Sequence, residues 1–254
     1  MLARRAVMRK PYDFRSPRLF LDADLGDGTT VPLAREQANY LLNVLRLGNG
    51  DTVLVFNGRD GEWLAGIEVS GKRTTSLTME RQKRAQTGGP DLHYLFAPLK
   101  RSRLDYMVQK ATEMGVARLQ PVLTRHTIAE RVNGDRMRAN VIEAAEQCGI
   151  LRVPEVAAPE RLDKVLAAWD AGRNLIFCDE NAPIADPVTA LRELAPGPLA
   201  VLIGPEGGFA AEERDTLIAL PFVTRIAMGP RIMRADTAAV AALTLVNAVL
   251  GDWR

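Results

Sequence analysis

The sequence has 254 residues, of which 47% are hydrophobic and 25% are charged, as in an ordinary chain that folds into one large or two modest domains. No apolar run reaches the roughly 18 residues of a membrane span. The two cysteines and two histidines stand apart, which argues against a disulfide framework or a metal cluster. We therefore expect a cytoplasmic protein with neither a membrane segment nor a bound metal.

The positive charge of the chain is concentrated in its first part. Residues 1–150 contain 23 Lys and Arg against 17 Asp and Glu, whereas residues 151–254 contain 10 against 14. A nucleic acid would bind the more basic half, although an ordinary solvated surface explains the balance equally well. Residues 1–16 are basic and lack the apolar core of a signal peptide, so we expect a disordered tail there.

Residues 17–82 have the pattern of a small β-rich domain with one helix. Four segments are typical of strands: "RLFLD", "DTVLVF", "EWLAGIEV" and "TTSLTMER". The segment "AREQANYLLNVLR" has apolar residues at helical spacing. We predict a compact RNA-binding barrel, and an accessory domain with a packing role only is the alternative. Residues 83–91 contain two glycines and a proline without apolar periodicity, which predicts a linker.

From residue 92 onward the chain alternates strand and helix patterns. The strand candidates are "LHYLFAPL", "RLQPVL", "NLIFCDE", "LAVLIG" and "VTRIAMG". The helix "SRLDYMVQKATEMG" is expected to be capped by Ser102 and ended by Gly115, and the helix "DRMRANVIEAAEQCG" to bury Cys148. This alternation predicts an α/β domain with a mainly parallel sheet. Ligands bind such sheets beyond the carboxyl ends of the strands.

Two loops at that edge of the predicted sheet share a Gly-Pro pair. Gly204-Pro205 ends one strand and Gly229-Pro230 ends the next. Glycine permits close backbone approach and proline fixes φ, so such loops present backbone groups at fixed positions. A single Gly-Pro is a common turn, but two at corresponding places predict a site for the adenine and ribose of a small ligand. The GxGxxG, GxxxxGK[ST], HExxH and GxSxG patterns are absent from the sequence.

Several segments together carry a family resemblance. They are "RLFL", "YLLNVLRLGNGD", "KATEMGVARLQPVL", "AAEQCGILRVPEV", "LIGPEGGF" and "MGPRIMRADTAAVAAL". In this order, over residues 17–250, the chain resembles the RsmE-type methyltransferases of the SPOUT superfamily. The resemblance implies a PUA-like β-barrel at residues 17–82 and a SPOUT domain with a deep trefoil knot at residues 92–254. It also implies a homodimer that uses S-adenosylmethionine to methylate N3 of one uridine in the bacterial 16S rRNA of the small ribosomal subunit.

The resemblance assigns cofactor-binding and catalytic residues. Arg234 is expected to stabilise the uracil anion left when N3 loses its proton. Glu206 is expected first to order its loop, with holding the cofactor amine or assisting proton removal as alternatives. The cofactor-binding residues are expected to be Leu202, Ile203, Gly204, Pro205, Glu206, Gly207 and Gly208 on one side and Met228, Gly229, Pro230, Arg231 and Ile232 on the other.

Four arginines are expected to contact RNA: Arg18 and Arg46 in the barrel, and Arg125 and Arg131 in the second domain. Two departures from the family pattern stand out. Ala235-Asp236 replaces the usual Thr-Glu, and "TRHTIAERVN" differs from a commoner Ser-Glu-Arg pattern. Two alternatives remain open at this stage. One is methylation of another RNA position or of a 2′-hydroxyl, and the other is a ribosome-assembly factor that binds RNA without catalysis.

Overall fold

The computed structural model describes residues 13, 15–70, 74–128, 131–182 and 186–253. The chain forms two compact units that divide between Gln86 and Thr87, a point that lies inside the segment we assigned to a linker. The expected disorder of residues 1–16 falls almost entirely outside the described residues.

The first unit is built on a five-stranded sheet with the order β1-β3-β4-β5-β2. All neighbouring strands are antiparallel except β1 and β3, which are parallel. The sequence pattern did not predict β2, and β5 continues two residues into the expected linker. The strands are β1 Arg18–Phe20, β2 Thr30–Pro32, β3 Thr52–Phe56, β4 Glu62–Ser70 and β5 Thr74–Arg84.

The helix predicted in this unit is shorter and less regular than its apolar spacing suggested. It consists of α1, Arg35–Asn39, followed directly by a π-helical turn, Tyr40–Val44. Only Leu41 of this segment is fully buried, and Leu45, directly after the turn, packs against the same core in part. Arg46 follows with a φ of 58°, a conformation that a side-chain-bearing residue adopts at an energetic cost.

The second unit contains a parallel sheet with the order β12-β10-β11-β6-β7-β8, and β9 also pairs with β7. Every recorded pairing is parallel, which confirms the α/β prediction. The two-residue strands β8 and β9 are too short to leave a sequence pattern. The strands are β6 Leu92–Phe96, β7 Arg118–Leu123, β8 Glu155–Val156, β9 Glu160–Arg161, β10 Asn174–Cys178, β11 Leu199–Ile203 and β12 Val223–Ile226.

Helices cover both faces of this sheet. The strands alternate their side chains between two apolar clusters, as the pleat requires. Leu202 lies in the cluster that includes residues of α4 and α6, whereas Val201 and Ile203 lie in the one that includes residues of α2, α3, α5 and α7. The helices are α2 Arg101–Glu113, α3 Gly134–Cys148, α4 Leu162–Ala167, α5 Pro187–Arg192, α6 Ala211–Ala219 and α7 Ala235–Val249. Whether the chain is knotted stays a prediction.

Two details of the helices correct the sequence interpretation. The N-cap of α2 is Lys100 and makes no side-chain capping bond, so Ser102 lies inside the first turn and caps nothing. Cys148 is exposed, because it is the last residue of α3 and the chain turns away at Gly149, whose φ is 62°. The remaining cysteine, Cys178, packs against the core, and burial raises the pKa of its thiol to about 12.

Across the described residues, none of the helices combines the length and apolarity that a bilayer crossing requires.

Candidate functional site

The candidate site lies at the carboxyl edge of the parallel sheet. β11 is the buried central strand, flanked by β10 and β6, and β12 lies beyond β10. The loops that leave β10, β11 and β12 therefore emerge at one edge. The side chains of Leu202 and Ile203 point into the two cores, so these two residues can offer a ligand only backbone groups.

The loop after β11 is a tight turn that depends on glycine. The N–H of Gly208 donates to the carbonyl of Pro205 over 2.9 Å, and Gly208 has a φ of 71°. A Cβ on Gly204 would collide with the ring of Phe209. The ring is itself fixed edge-on against Phe177, with centroids 5.1 Å apart. The loop is thus held in one shape by packing from below.

Glu206 is the one carboxylate in this loop, and it faces the start of α2. Its Oε1 accepts from Nη1 of Arg103 in an ion pair in which both side chains are partly exposed, at 45% and 36%. The carboxyl end of β6 lies next to that of β11, which brings the first turn of α2 to this edge. The pair ties the glycine-rich loop to the start of α2.

The loop after β7 supports the same turn from another side. The Nδ1 of His126 lies 3.1 Å from the carbonyl oxygen of Gly208, so this nitrogen carries the proton if the contact is a hydrogen bond. Glu213, in the first turn of α6, accepts from the N–H of Arg125 over 2.9 Å and from that of Ala210 over 3.1 Å. One carboxylate therefore joins the two loops.

The loop after β12 is exposed, and its backbone polar groups are largely unpaired among the described residues. Gly229 has a φ of 91°, and Ile232 is 90% exposed. Within the described chain, the backbone of residues 227–233 makes no recorded hydrogen bond outside strand pairing. Met228 and Met233 pack against the core and anchor the two sides of the loop. The loop therefore presents free N–H and C=O groups on a fixed base.

Arg234 ends this loop and is the N-cap of α7, without a side-chain capping bond. Its guanidinium is exposed, and no hydrogen bond or ion pair engages it among the described residues. No contact between Arg234 and Glu206 is recorded. Asp236 follows in the first turn, where its carboxylate accepts from the N–H of Thr237 over 3.0 Å.

The loop after β10 contains a buried ion cluster. Asp179, 4% exposed, accepts from Arg214 at 3.0 and 3.2 Å and lies 3.6 Å from Arg225. It also accepts from the N–H of Asn181 over 3.1 Å. The cluster connects α6 and β12 to the loop and stiffens the edge. The exposed Glu180 lies next to Gly208, since a Cβ built there would be 4.0 Å from its Oε1.

The four arginines expected to contact RNA differ in their surroundings. Arg18 is a correction: its side chain is 3% exposed and pairs with Glu62 over 3.0 Å, and it also donates to the carbonyl oxygens of Ser16 and Asp13. It holds the first unit together and offers no phosphate contact in this arrangement. Arg46, Arg125 and Arg131 are exposed, and Arg125 lies 3.8 Å from Glu212 in a loose surface pair.

Sequence reasoning missed several residues at this edge, chiefly Arg103, His126, Asp179 and Glu213. Arg103 could have been predicted from the sequence, because the predicted parallel sheet already placed the start of α2 at the edge where ligands bind. His126 was judged isolated, and its contact with Gly208 joins residues 82 positions apart, which no local pattern encodes. No group of three metal-binding side chains occurs in the described part of the chain.

The residues present fit a cofactor with an adenosyl group. The loop at residues 227–233 offers unpaired backbone groups suited to the edge of a base, and in the turn at residues 204–208 only Pro205 and Glu206 carry side chains, which leaves room for a ribose. The carboxylates of Glu206 and Glu180 are suited to positive charge. Among the described residues of this edge, His126 bonds to the backbone of Gly208 and no Ser-His or Cys-His hydrogen bond occurs.

Comparison with protein families agrees with this geometry. Residues 87–247 match a model described as an RNA methyltransferase domain. Residues 33–78 match a model described as an RNA methyltransferase PUA domain. The "Ribosomal RNA small subunit methyltransferase E" of Synechocystis sp. is 32% identical over 227 residues, covering 87% of this chain and 74% of the relative. The protein of that name from Rickettsia conorii is 29% identical, covering 91% and 94%.

Solved structures show the same fold over nearly the whole chain. A ribosomal RNA small subunit methyltransferase E from Neisseria gonorrhoeae, bound to S-adenosylmethionine, superposes with a TM-score of 0.85 at 25% identity, covering 94% of this chain and all of that one. A methyltransferase from Legionella pneumophila in complex with the same cofactor has a TM-score of 0.82 at 28% identity, covering 94% and 99%. These matches confirm the resemblance seen in the sequence. The chain belongs to the RNA methyltransferase family, with an N-terminal PUA domain.

Proposed function

We propose that this enzyme transfers a methyl group from S-adenosylmethionine to N3 of one uridine in the 16S rRNA of the small ribosomal subunit. The observation that carries the proposal is the pair of Gly-Pro loops at one edge of the sheet. Arg234 lies at the end of the second loop, and its guanidinium makes no hydrogen bond or ion pair with the described residues. The relatives named for small-subunit rRNA methylation cover most of the chain and support the substrate class.

In this proposal the two loops hold the cofactor between them. Backbone groups of Met228–Ile232 bind the adenine, and the turn from Gly204 to Gly208 lies against the ribose and methionine parts. S-adenosylmethionine supplies an electrophilic methyl group on a sulfonium, which needs no metal for transfer. The rigid turn fixes where that group can lie, and positioning of this kind lowers a bimolecular barrier by several kcal/mol.

Arg234 is proposed to stabilise the uracil as its N3 loses a proton. The N3–H bond breaks and its proton goes to solvent or a base, which leaves negative charge on O2 and O4, where a fixed guanidinium stabilises it. The N3 lone pair then forms the N3–CH₃ bond as the S–CH₃ bond of the sulfonium breaks and the neutral thioether leaves. Two features of Arg234 support the role: it is exposed, and no carboxylate among the described residues neutralises it.

Glu206 is proposed to order the cofactor loop through Arg103. Exposed ion pairs contribute about 0–1 kcal/mol to stability, so this contact matters for the shape of the loop more than for folding. Replacement of Arg103 by Ala is expected to weaken cofactor binding with little change in the melting temperature. Arg118→Ala provides a matched control, because Arg118 forms a similarly exposed pair with Glu155 over 3.0 Å.

The RNA and the second subunit complete the proposal. Arg46, Arg125 and Arg131 are proposed to contact RNA phosphates, which position the substrate without reading its sequence.

A homodimer is proposed because apolar groups on α7, including Val240 and Ala241, line a cleft together with Tyr106, which is 47% exposed. Activity on ribosomal RNA would place the enzyme in the bacterial cytoplasm. Sedimentation at several concentrations tests the dimer, and a stable monomer would contradict it.

The test of the site combines calorimetry with methyl transfer. Wild-type protein is expected to bind S-adenosylmethionine and to transfer its labelled methyl group to small subunits that lack the modification. Arg234→Ala should retain cofactor binding and lose methyl transfer by a factor of 10² or more, on the scale of other charge-stabilising groups. Arg231→Ala, on the same loop, is the control, since its proposed contact is made by backbone. Full turnover by Arg234→Ala would refute the assigned role.

A further inference from the structure

A cleft at the start of α2 and α3 is a second feature of the methyltransferase unit, and Arg131 is the one residue of its lining to which a role has been assigned above. It has a volume of about 920 Å³ and lies between residues 99–105 and residues 131–137. The helices are held together on one side of it by Asp105, which accepts from Arg136 at 2.6–3.1 Å and from Asn140 at 2.9 Å. The walls of the cleft are therefore fixed by packing and hydrogen bonds.

The lining of the cleft is strongly basic. It includes four cations, Lys100, Arg101, Arg131 and Arg136, and one acid, Asp105. The Arg136 guanidinium holds the pKa of the Asp105 carboxyl below its ordinary value, so this acid is ionised and offsets one cation only. The lining has a net charge of +3 in consequence.

Three of these cations have no internal partner. Lys100, Arg101 and Arg131 are exposed, and among the described residues none of them makes an ion pair or a side-chain hydrogen bond. They come from two separate segments that flank one concavity. Cations that are brought together without carboxylates to neutralise them repel one another, and a polyanion that spans them relieves that repulsion.

The cleft adjoins the candidate active site through the first turn of α2. Arg101 and Ser102, which line the cleft, directly precede Arg103 in the chain. Arg103 in turn pairs with Glu206 of the glycine-rich loop. A phosphate backbone bound to Lys100 and Arg101 therefore lies at the first turn of α2, beside the residue that contacts the glycine-rich loop.

We propose that the cleft between α2 and α3, with Lys100, Arg101 and Arg131 at its walls, binds the phosphodiester backbone of the substrate RNA beside the target nucleotide. This inference rests on the proposed function and adds the place where the catalytic unit itself holds its substrate. Backbone contacts of this kind set the position of the RNA and carry no sequence information.

The test measures RNA binding after the three cations are removed together, and compares it with RNA binding after three cations outside the cleft are removed. The test variant is Lys100→Ala/Arg101→Ala/Arg131→Ala. The control variant is Arg161→Ala/Lys164→Ala/Arg192→Ala, which removes three exposed cations of the same unit that line no part of the cleft. Unchanged affinity for S-adenosylmethionine and an unchanged melting temperature establish that both variants are folded.

Binding to deproteinised 16S rRNA and to assembled small subunits is measured over a range of salt concentrations. Each phosphate contact contributes about 0.7 to the logarithmic salt slope for a single strand, so the test variant should lose about 2 from the slope while the control keeps the wild-type value. The KM of the test variant for small subunits should rise at least tenfold, whereas its kcat should stay nearly unchanged. Arg131→Lys, which keeps the charge, should retain the slope.

Three outcomes would overturn the cleft proposal. Equal salt slopes for the test and control variants would do so, and so would a fall in kcat without a change in KM. Weaker binding to assembled subunits with unchanged binding to deproteinised 16S rRNA would assign the cleft to a ribosomal protein instead. Wild-type methylation of subunits is measured in the same series, so its absence would count against the proposed function separately from the cleft.

Discussion

Replacement of Gly204 by Ala tests whether packing against Phe209 sets the shape of the glycine-rich loop after β11. A Cβ at this position would lie 2.9 Å from Cδ2 and 3.0 Å from Cζ of Phe209, whereas carbon atoms prefer separations of roughly 3.5–4.0 Å. Phe209 cannot move freely, because its ring meets Phe177 edge-on. The ring atom Cε2 would lie closer still, so either the ring or the loop must shift by at least about 1 Å.

The expected cost follows from that overlap. Overpacking of this kind destabilises a protein by about 1–3 kcal/mol, which lowers the melting temperature by about 2–4 °C per kcal/mol in a chain of this size. Since the strand leads directly into the turn, we also expect S-adenosylmethionine affinity to fall at least tenfold, or about 1.4 kcal/mol. Thermal unfolding and titration calorimetry measure the two effects.

The control and the rescue variant separate crowding from other effects of the substitution. Gly197→Ala places a Cβ where nothing lies within 4 Å, so its stability and cofactor affinity should stay at wild-type values. Phe209→Leu removes ring atoms and should make the double variant less impaired than the sum of the single ones. If Gly204→Ala kept both the wild-type melting temperature and the wild-type cofactor affinity, the packing argument would be wrong.

Three further predictions concern groups outside the cofactor loop. Arg18→Ala should cost about 3 kcal/mol in denaturant unfolding, because it leaves Glu62 buried with one partner fewer; a cost below 1 kcal/mol would contradict the structural role. Burial lowers the pKa of His93 from 6.5 to about 4, so the unfolded chain binds more protons and wild-type stability should fall from pH 6.5 towards pH 4. His93→Gln should flatten that part of the profile, and parallel profiles would refute the assignment. A thiol reagent should label Cys148 faster than Cys178 in the native protein, because Cys148 is exposed and Cys178 is partly buried with a raised thiol pKa; equal labelling rates would contradict this difference.

The alternation of strands and helices made the second unit predictable from sequence. Its strands are fully or half buried and its helices carry apolar stripes, so local pattern and global fold agree. The prediction failed where local pattern and packing disagree. At Tyr40–Val44 the apolar spacing predicted an α-helix, and the structure has a π-helical turn there. Cys148 kept the helical spacing of a core residue and is exposed because its helix ends there.

The candidate site divides in the same way. The Gly-Pro loops were recognisable because their chemistry lies in consecutive residues. The Arg103–Glu206 pair, the contact of His126 with Gly208 and the bridging role of Glu213 all join distant positions. No local pattern encodes such pairings, and only the position of α2 in the predicted parallel sheet pointed to Arg103. Arg18 shows the opposite error, since a conspicuous basic residue beside a strand was assigned to RNA although it forms a buried ion pair.

The most direct test of the account is a nucleoside analysis of the methylated RNA. Small subunits from a strain without the modification are incubated with the protein and labelled S-adenosylmethionine, and the digested 16S rRNA is separated by chromatography and mass. The account predicts label in 3-methyluridine at a single site. Label in a 2′-O-methylated nucleoside or in another base would contradict the N3 assignment. Tight cofactor binding with no label in naked or assembled RNA would favour an RNA-binding assembly factor over an enzyme.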